Sequence, residues 1–294
     1  MSYDNREKLN LSILCKHLGA EITDLDVRNI GDEVSLDAIK AALHKHQLLC
    51  FRGQQLSPDE LVNFTCLFGE MLPHVLQQFS LPENPDIYVL SNIVENGEPL
   101  GNRREGFGWH TDLTYMEVPP SYTILYGLEV PSEGGDTLYA SLYQAWDALK
   151  EEEKDRLRGI RTVHSYPHLY SKRVNVEPLT EDQKDQTPDV VQPAVRIHPD
   201  TGREGMYINT GDCIGVEGVS LEESNNILEF INELYDFTIN NYSYQHKWKV
   251  RDLLIWDNRG LLHTATDYDL DLHRRLIWRT SVVGERPIPW RKDV

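Results

Sequence analysis

The sequence predicts a mainly β domain with flanking helices, of the barrel or jelly-roll kind. Three observations carry this expectation: short apolar runs recur between Gly, Pro and Asp turns, only a few segments open with helical starts, and no Gly/Ser-rich linker divides the chain. With 294 residues, 40% hydrophobic and 26% charged, the chain can bury a large core and lies outside the disordered range. All-β barrels of this length run as single domains, so one domain is expected over 1–294.

Leu36, Ile39 and Leu43 after Ser35 keep helical spacing, and Leu48-Leu49-Cys50-Phe51 reads as a buried strand ended by Arg52-Gly53. Ser57-Pro58-Asp59-Glu60 supplies a capping serine, a proline at the first helical position and a glutamate three residues after the cap. This predicts a helix over 57–68 with Leu61, Phe64 and Phe68 on one face. Strand-like runs follow at 87–90, 122–128, 137–140, 206–209, 253–256 and 276–283. Ser220-Leu221-Glu222-Glu223 repeats the capping signature before Ile227, Leu228, Ile231 and Leu234, a second helix. The stretch 165–194 is polar, holds Pro167, Pro178, Pro188 and Pro193, and has no period. It reads either as a lid inserted around 165–195 or as a surface insertion.

Lys plus Arg number 29 against 47 Asp plus Glu, for a formal charge of -18. Nucleic-acid binding needs a positive footprint that releases counterions, so that class of partner is not expected. The same charge repels anionic lipid, and a small anionic ligand would need locally concentrated arginines. Cys15, Cys50, Cys66 and Cys213 show neither CxxC nor zinc-finger spacing, so no disulfide frame is expected. MSYDNREKLN lacks the pattern of a signal peptide and no apolar stretch reaches the length of a membrane span. A cytoplasmic protein without a membrane partner is the expectation. Assembly is left open, a homo-oligomer included.

Trp109-His110-Thr111-Asp112 sets an imidazole and a carboxylate two residues apart. On a strand, i and i+2 share a face and could reach one metal ion. His198-Pro199-Asp200 offers the same spacing within a Pro-Asp-Thr-Gly turn, and spacing alone does not choose between the two pairs. Two histidines and one carboxylate on one side of a metal is the arrangement of non-haem iron(II) oxygenases, so a second histidine is needed. His263 follows an apolar strand and a polar turn, and also fits an ordinary core histidine. Downstream, alternation puts Arg275, Ile277 and Arg279 on one face. Two arginines there demand anionic partners, either ordinary acidic side chains or ligand carboxylates and sulfonates.

WHTD at 109–112, GGDT at 134–137, WDNRGLLH at 256–263 and RRLIWR at 274–279 together resemble the ordered motif set of the taurine dioxygenase and 2,4-dichlorophenoxyacetate dioxygenase family. The likeness runs from the FRGQ segment at Phe51 nearly to the C-terminus. It implies a double-stranded β-helix, a cupin-like jelly roll, and an Fe(II)- and 2-oxoglutarate-dependent dioxygenase that uses O2 and yields succinate and CO2. By residue, it implies that His110, Asp112 and His263 are the catalytic iron ligands. Thr137 and Arg275 would hold the distal carboxylate of 2-oxoglutarate, and His74, the backbone N–H of Leu113, and Arg279 would meet the substrate. Gln77 and Gly106 stand where taurine dioxygenase has tyrosine and asparagine, which counts against taurine itself as substrate; the Gly106-Phe107-Gly108 run either opens room for a larger, aromatic substrate or only serves a turn.

The expected activity is oxidation, by hydroxylation or desaturation, of a small carboxylate or sulfonate. Desaturation of an isonitrile derivative of an aromatic amino acid is an alternative within the class. A jelly-roll protein that binds a small acid without turning it over, with zinc or no metal, is the alternative outside it.

Overall fold

The computed structural model describes residues 9–31, 34–103, 106–172 and 178–291. Two sheets face each other. The larger has eight strands in the order Leu11–Ile13, Ala20–Ile22, Leu48–Phe51, Leu253–Asp257, Tyr122–Glu129, Leu276–Val282, Asn84–Ser91, Ser80–Leu81. The smaller has three, with Thr137–Ser141 between Ser243–His246 and Leu261–Ala265. Pairing is antiparallel in both, apart from the parallel neighbours Ala20–Ile22 and Leu48–Phe51. This is the mainly β, jelly-roll architecture expected from the sequence.

Strand alternation divides the large sheet between two cores. Leu49, Phe51, Ile124, Tyr126, Leu253 and Ile255 point to one side, where Ile39, Leu43, Leu61 and Phe64 of the helices Leu36–His46 and Pro58–Cys66 cover them. Leu48, Cys50, Leu125, Leu254, Trp256 and Ile277 point to the other, against Tyr139 and Leu261 of the small sheet. The outer side of the small sheet is covered by the helices Leu142–Ala148 and Leu221–Asn241 through Trp146, Phe230, Ile231 and Leu234. The inner strands Leu48–Phe51 and Leu253–Asp257 are therefore buried on both faces, which explains their near-continuous apolar runs.

The expected caps form. Ser57 accepts from the Glu60 N–H while the Glu60 carboxylate accepts from the Ser57 N–H, and Ser220 accepts from the Glu223 N–H. Two local expectations change. The run at 206–209 pairs only as Glu204–Met206, because Asn209 turns its amide inward to donate to the Thr114 hydroxyl at 2.7 Å. The 165–194 stretch contains two short helices, Tyr166–Ser171 and Glu181–Asp185, each capped by a Ser or Thr hydroxyl, and the strand Val190–Pro193 paired to Arg161–His164. Residues 173–177 of the expected lid lie outside the described residues, as do residues 1–8 of the N-terminal stretch. Among the described residues no helix is long and apolar enough to cross a membrane, and all four cysteines are free thiols.

Candidate active site

His110 and Asp112 do not meet as neighbours on a strand. His110 makes a single antiparallel bridge to His263, its N–H donating to the His263 carbonyl at 2.9 Å and its carbonyl accepting from the His263 N–H at 2.8 Å. The chain then turns through Leu113, whose φ is +51°, a left-handed value uncommon outside glycine. Asn258, read from sequence only as part of a polar turn, fixes that turn: its side-chain oxygen accepts from the Asp112 N–H at 3.0 Å, and its amide nitrogen donates to the Asp112 carbonyl at 3.0 Å. Thr111 donates to the Leu261 carbonyl at 3.0 Å. Motifs about 150 residues apart in sequence are thereby stitched into one unit.

The side chains converge. Asp112 Oδ1 lies 3.7 Å from His110 Nε2 and 3.6 Å from His263 Nε2. His110 Nδ1 donates to the Gly108 carbonyl at 2.6 Å, which leaves the Nε2 lone pair facing inward. Burial, helped by the nearby Arg279 and opposed by Asp112, pushes the His263 imidazole down to about 3, so that ring is neutral and able to ligate. Burial opposes ionisation of Asp112, yet the Arg279 guanidinium and the two imidazoles outweigh it and hold the carboxyl well below the usual range. Thr123 donates to its other oxygen at 2.7 Å. Two imidazole nitrogens and an ionised carboxylate on one side of an open space suit a divalent metal.

A cavity of about 370 Å3 opens beside this cluster, lined by His110, His263, Thr137, Trp256, Arg275 and Arg279 among others. Arg275 is 6% exposed, its Nε has no hydrogen-bond partner, and among the described residues it forms no ion pair. An unpaired guanidinium is costly to bury, and burial pulls the Arg275 pKa down from its usual value. The Thr137 hydroxyl oxygen accepts from the Trp248 indole N–H at 3.0 Å, which leaves its own proton to donate. The cavity thus presents a cation and a hydroxyl donor to an anion that the fold does not supply.

Arg279 also lines a second cavity of about 230 Å3, with Leu72, His74, Asp86, Tyr88, Leu113 and Ser281. Its Nη2 stands 3.0 Å from Asp112 Oδ1 without the alignment of a hydrogen bond. His74 Nδ1 accepts from the Leu76 N–H at 3.1 Å, so a neutral ring carries its proton on Nε2, and the ring stacks on Tyr88 with centroids 3.9 Å apart. Gln77 lines neither cavity, since its amide donates to the His74 carbonyl at 2.6 Å; Gly106 lines the first.

All eight residues expected at the site from sequence therefore lie around or between these two cavities. The model of the family described as taurine catabolism dioxygenase TauD, TfdA family matches residues 10–281. The chain belongs to the TauD/TfdA family. A 2,4-dichlorophenoxyacetate dioxygenase of Cupriavidus pinatubonensis is 30% identical over 274 residues, covering 90% of this chain and 94% of its own. Pentalenolactone F synthase of Streptomyces arenae is 28% identical, with coverage of 94% and 96%. A taurine dioxygenase from Burkholderia xenovorans superposes with a TM-score of 0.78 at 29% identity, covering 96% of this chain and 91% of its own. As a TauD/TfdA member the chain is a dioxygenase with a jelly-roll core.

The second His-x-Asp pair takes no part. His198 Nε2 bonds to Asp257 at 2.8 Å and its Nδ1 accepts from the backbone N–H groups of Asp200 and Thr201, so both ring nitrogens are used. His44 stands beside it, and Cys50, His246 and Asp252 form another buried group. Asp252 is already engaged by Arg52 and by the Lys249 N–H. Both clusters brace the sheet from within.

Proposed function

We propose that this TauD/TfdA member is an Fe(II)- and 2-oxoglutarate-dependent dioxygenase that oxidises a small organic acid, a carboxylate or sulfonate, by hydroxylation or desaturation. The observation that carries the reading is the buried, unpaired Arg275 beside Thr137, in the cavity that also exposes His110 and His263. A fold that merely binds one small acid has no use for two separate arginines, Arg275 in the first cavity and Arg279 in the wall shared by both.

In this reading His110, Asp112 and His263 hold iron(II), and the bound metal with 2-oxoglutarate and O2 supplies the oxidising chemistry, releasing succinate and CO2. Arg275 and Thr137 take the far carboxylate of 2-oxoglutarate through a charge-assisted pair and one hydroxyl bond. Arg279, the Leu113 N–H and His74 orient the substrate; no described residue accepts from that N–H. Thr123 holds the non-facing oxygen of Asp112, and the Gly108 carbonyl fixes the His110 tautomer, so both ligands are oriented before a metal arrives. The lid role of 165–195 belongs to the same reading: Gln192, on its strand, donates to the carbonyls of Thr114 and Met116, next to Leu113.

Anaerobic addition of Fe(II) and 2-oxoglutarate tests the proposal. The expected result is a weak visible charge-transfer band that is lost in Asp112→Ala, followed by succinate formation in air. No band and no succinate would favour a non-catalytic acid binder and overturn the reading.

A further inference from the structure

We infer that Asn92 is a positioning residue for the co-substrate: it holds Arg275 in place and so sets the length of the 2-oxo diacid that the first cavity accepts. The inference rests on the reading above, in which Arg275 and Thr137 take the far carboxylate. Among the described residues no carboxylate pairs with the buried Arg275 guanidinium, so its position comes from the backbone that carries it. Leu276 pairs with Ser91 at the last rung between Leu276–Val282 and Asn84–Ser91, and Arg275 and Asn92 come next on the two chains. There the Asn92 side chain takes over from the ladder. Its Oδ1 accepts from the Arg275 N–H at 2.8 Å, and its Nδ2 donates to the carbonyls of Leu270 and His273, both at 2.8 Å. One half-buried amide thus spends its acceptor and both its donors on a single segment 178 to 183 residues away.

The other end of that segment is fixed to the motif that carries Thr137. The Thr266 N–H donates to the Asp136 carbonyl at 2.8 Å, and the Asp136 N–H donates to the Thr266 hydroxyl oxygen at 2.9 Å. The Gly135 N–H donates to the Asp267 carbonyl at 3.3 Å. Gly134, with a φ of +69°, permits the close crossing, since a side chain there would collide with the Asp267 carbonyl. Residues 266–275 therefore span the two groups that grip the distal carboxylate, tied beside Thr137 at one end and by Asn92 at the other. With both ends held, Arg275 cannot retreat from the metal cluster to admit a longer diacid. An asparagine that only completes a loop is the competing account, and it predicts lost stability with no change in co-substrate choice.

The test is anaerobic titration of the Fe(II)-loaded protein with 2-oxoglutarate and with 2-oxoadipate, one methylene longer, read by the visible band and by calorimetry. The wild type should bind 2-oxoglutarate at least tenfold more tightly, the usual worth of one methylene in a fitted pocket. Asn92→Ala should raise the Kd for 2-oxoglutarate about tenfold, the size of one contact to a charged group. It should raise the Kd for 2-oxoadipate much less and leave the Fe(II) Kd unchanged. Asn92→Ser, the gentler change, should fall between, and it carries the test if the alanine variant does not fold. In an Arg275→Gln background, adding Asn92→Ala should shift the 2-oxoglutarate Kd less than about twofold, because no guanidinium is left to position. A lowered melting midpoint with unchanged preference, equal weakening of both diacids, a parallel loss of Fe(II) affinity, or an additive double variant would overturn the inference. Absence of the visible band in the wild type would instead count against the reading of the site.

Discussion

The Trp248 indole N–H donates to the hydroxyl oxygen of Thr137 at 3.0 Å. Because that oxygen accepts from the ring, the Thr137 proton is left to point into the cavity shared with Arg275. Trp248→Phe keeps the packing and removes the donor. It should raise the 2-oxoglutarate concentration needed for half-maximal rate roughly three- to tenfold, the size of one neutral hydrogen bond. Thr137→Val should do the same, and the double variant should cost little more than either alone. Additive effects in steady-state kinetics would contradict the pairing.

Arg275→Gln should raise the 2-oxoglutarate requirement far more than the substrate requirement. Arg279→Gln should do the reverse and leave substrate-independent decarboxylation of 2-oxoglutarate largely intact. Loss of that uncoupled reaction in Arg279→Gln would exchange the two roles.

Asp112→Ala removes the partner of Arg279 and the acceptor of Thr123 inside a buried site. Metal binding should vanish and the metal-free protein should lose about 3–5 kcal/mol, the usual penalty of leaving a buried charge unpaired. Denaturant unfolding of the metal-free forms measures it, and an unchanged midpoint would show that Arg279 finds another partner.

His198→Ala should keep full metal stoichiometry while lowering stability. Its Nε2 bonds to Asp257, which also holds Arg259, and its Nδ1 accepts from the Asp200 and Thr201 N–H groups, and stranding one such polar group costs about 1–3 kcal/mol. Metal analysis and a melting curve on the same sample separate the two effects.

Burial opposes ionisation of Asp257, but Arg259 and His198 hold its carboxyl well below the usual range. A group whose folded pKa is depressed contributes stability above its unfolded value, near 3.9, and that stability is lost as the pH falls. Melting temperature should therefore drop more steeply in the wild type than in Asp257→Asn below about pH 4. Parallel curves would show that the pair contributes nothing to acid stability.

Helix starts were legible because a cap is local: Ser57 and Glu60 lie within one turn, and the same residues make the bonds in the folded chain. The buried walls were legible because Leu253 to Trp256 has no polar face to hide. His110, Asp112 and His263 needed the whole set of motifs, since neither strand spacing nor composition distinguishes them from His198 and Asp200. The structure replaces the expected strand at 110–112 with one bridge and a left-handed turn. What sequence could not disclose was contact between distant segments. Asn258 looks like any turn residue until it is seen on both sides of the Asp112 backbone, Trp248 like any core aromatic, and Asn92 like any residue at a strand end.

On the proposed reading, the reciprocal backbone bonds between His110 and His263 mean that the protein, rather than an ion, holds together the two main-chain segments from which the imidazoles reach the metal. An ion can then leave and a different one enter without the chain rearranging around it. A rigid nitrogen and oxygen site of this kind grips nickel, copper or zinc more tightly than iron, in the general order of divalent affinities. The metal found in a freshly purified sample will record the medium the cells grew in, and activity will track how much of that foreign metal has been exchanged away.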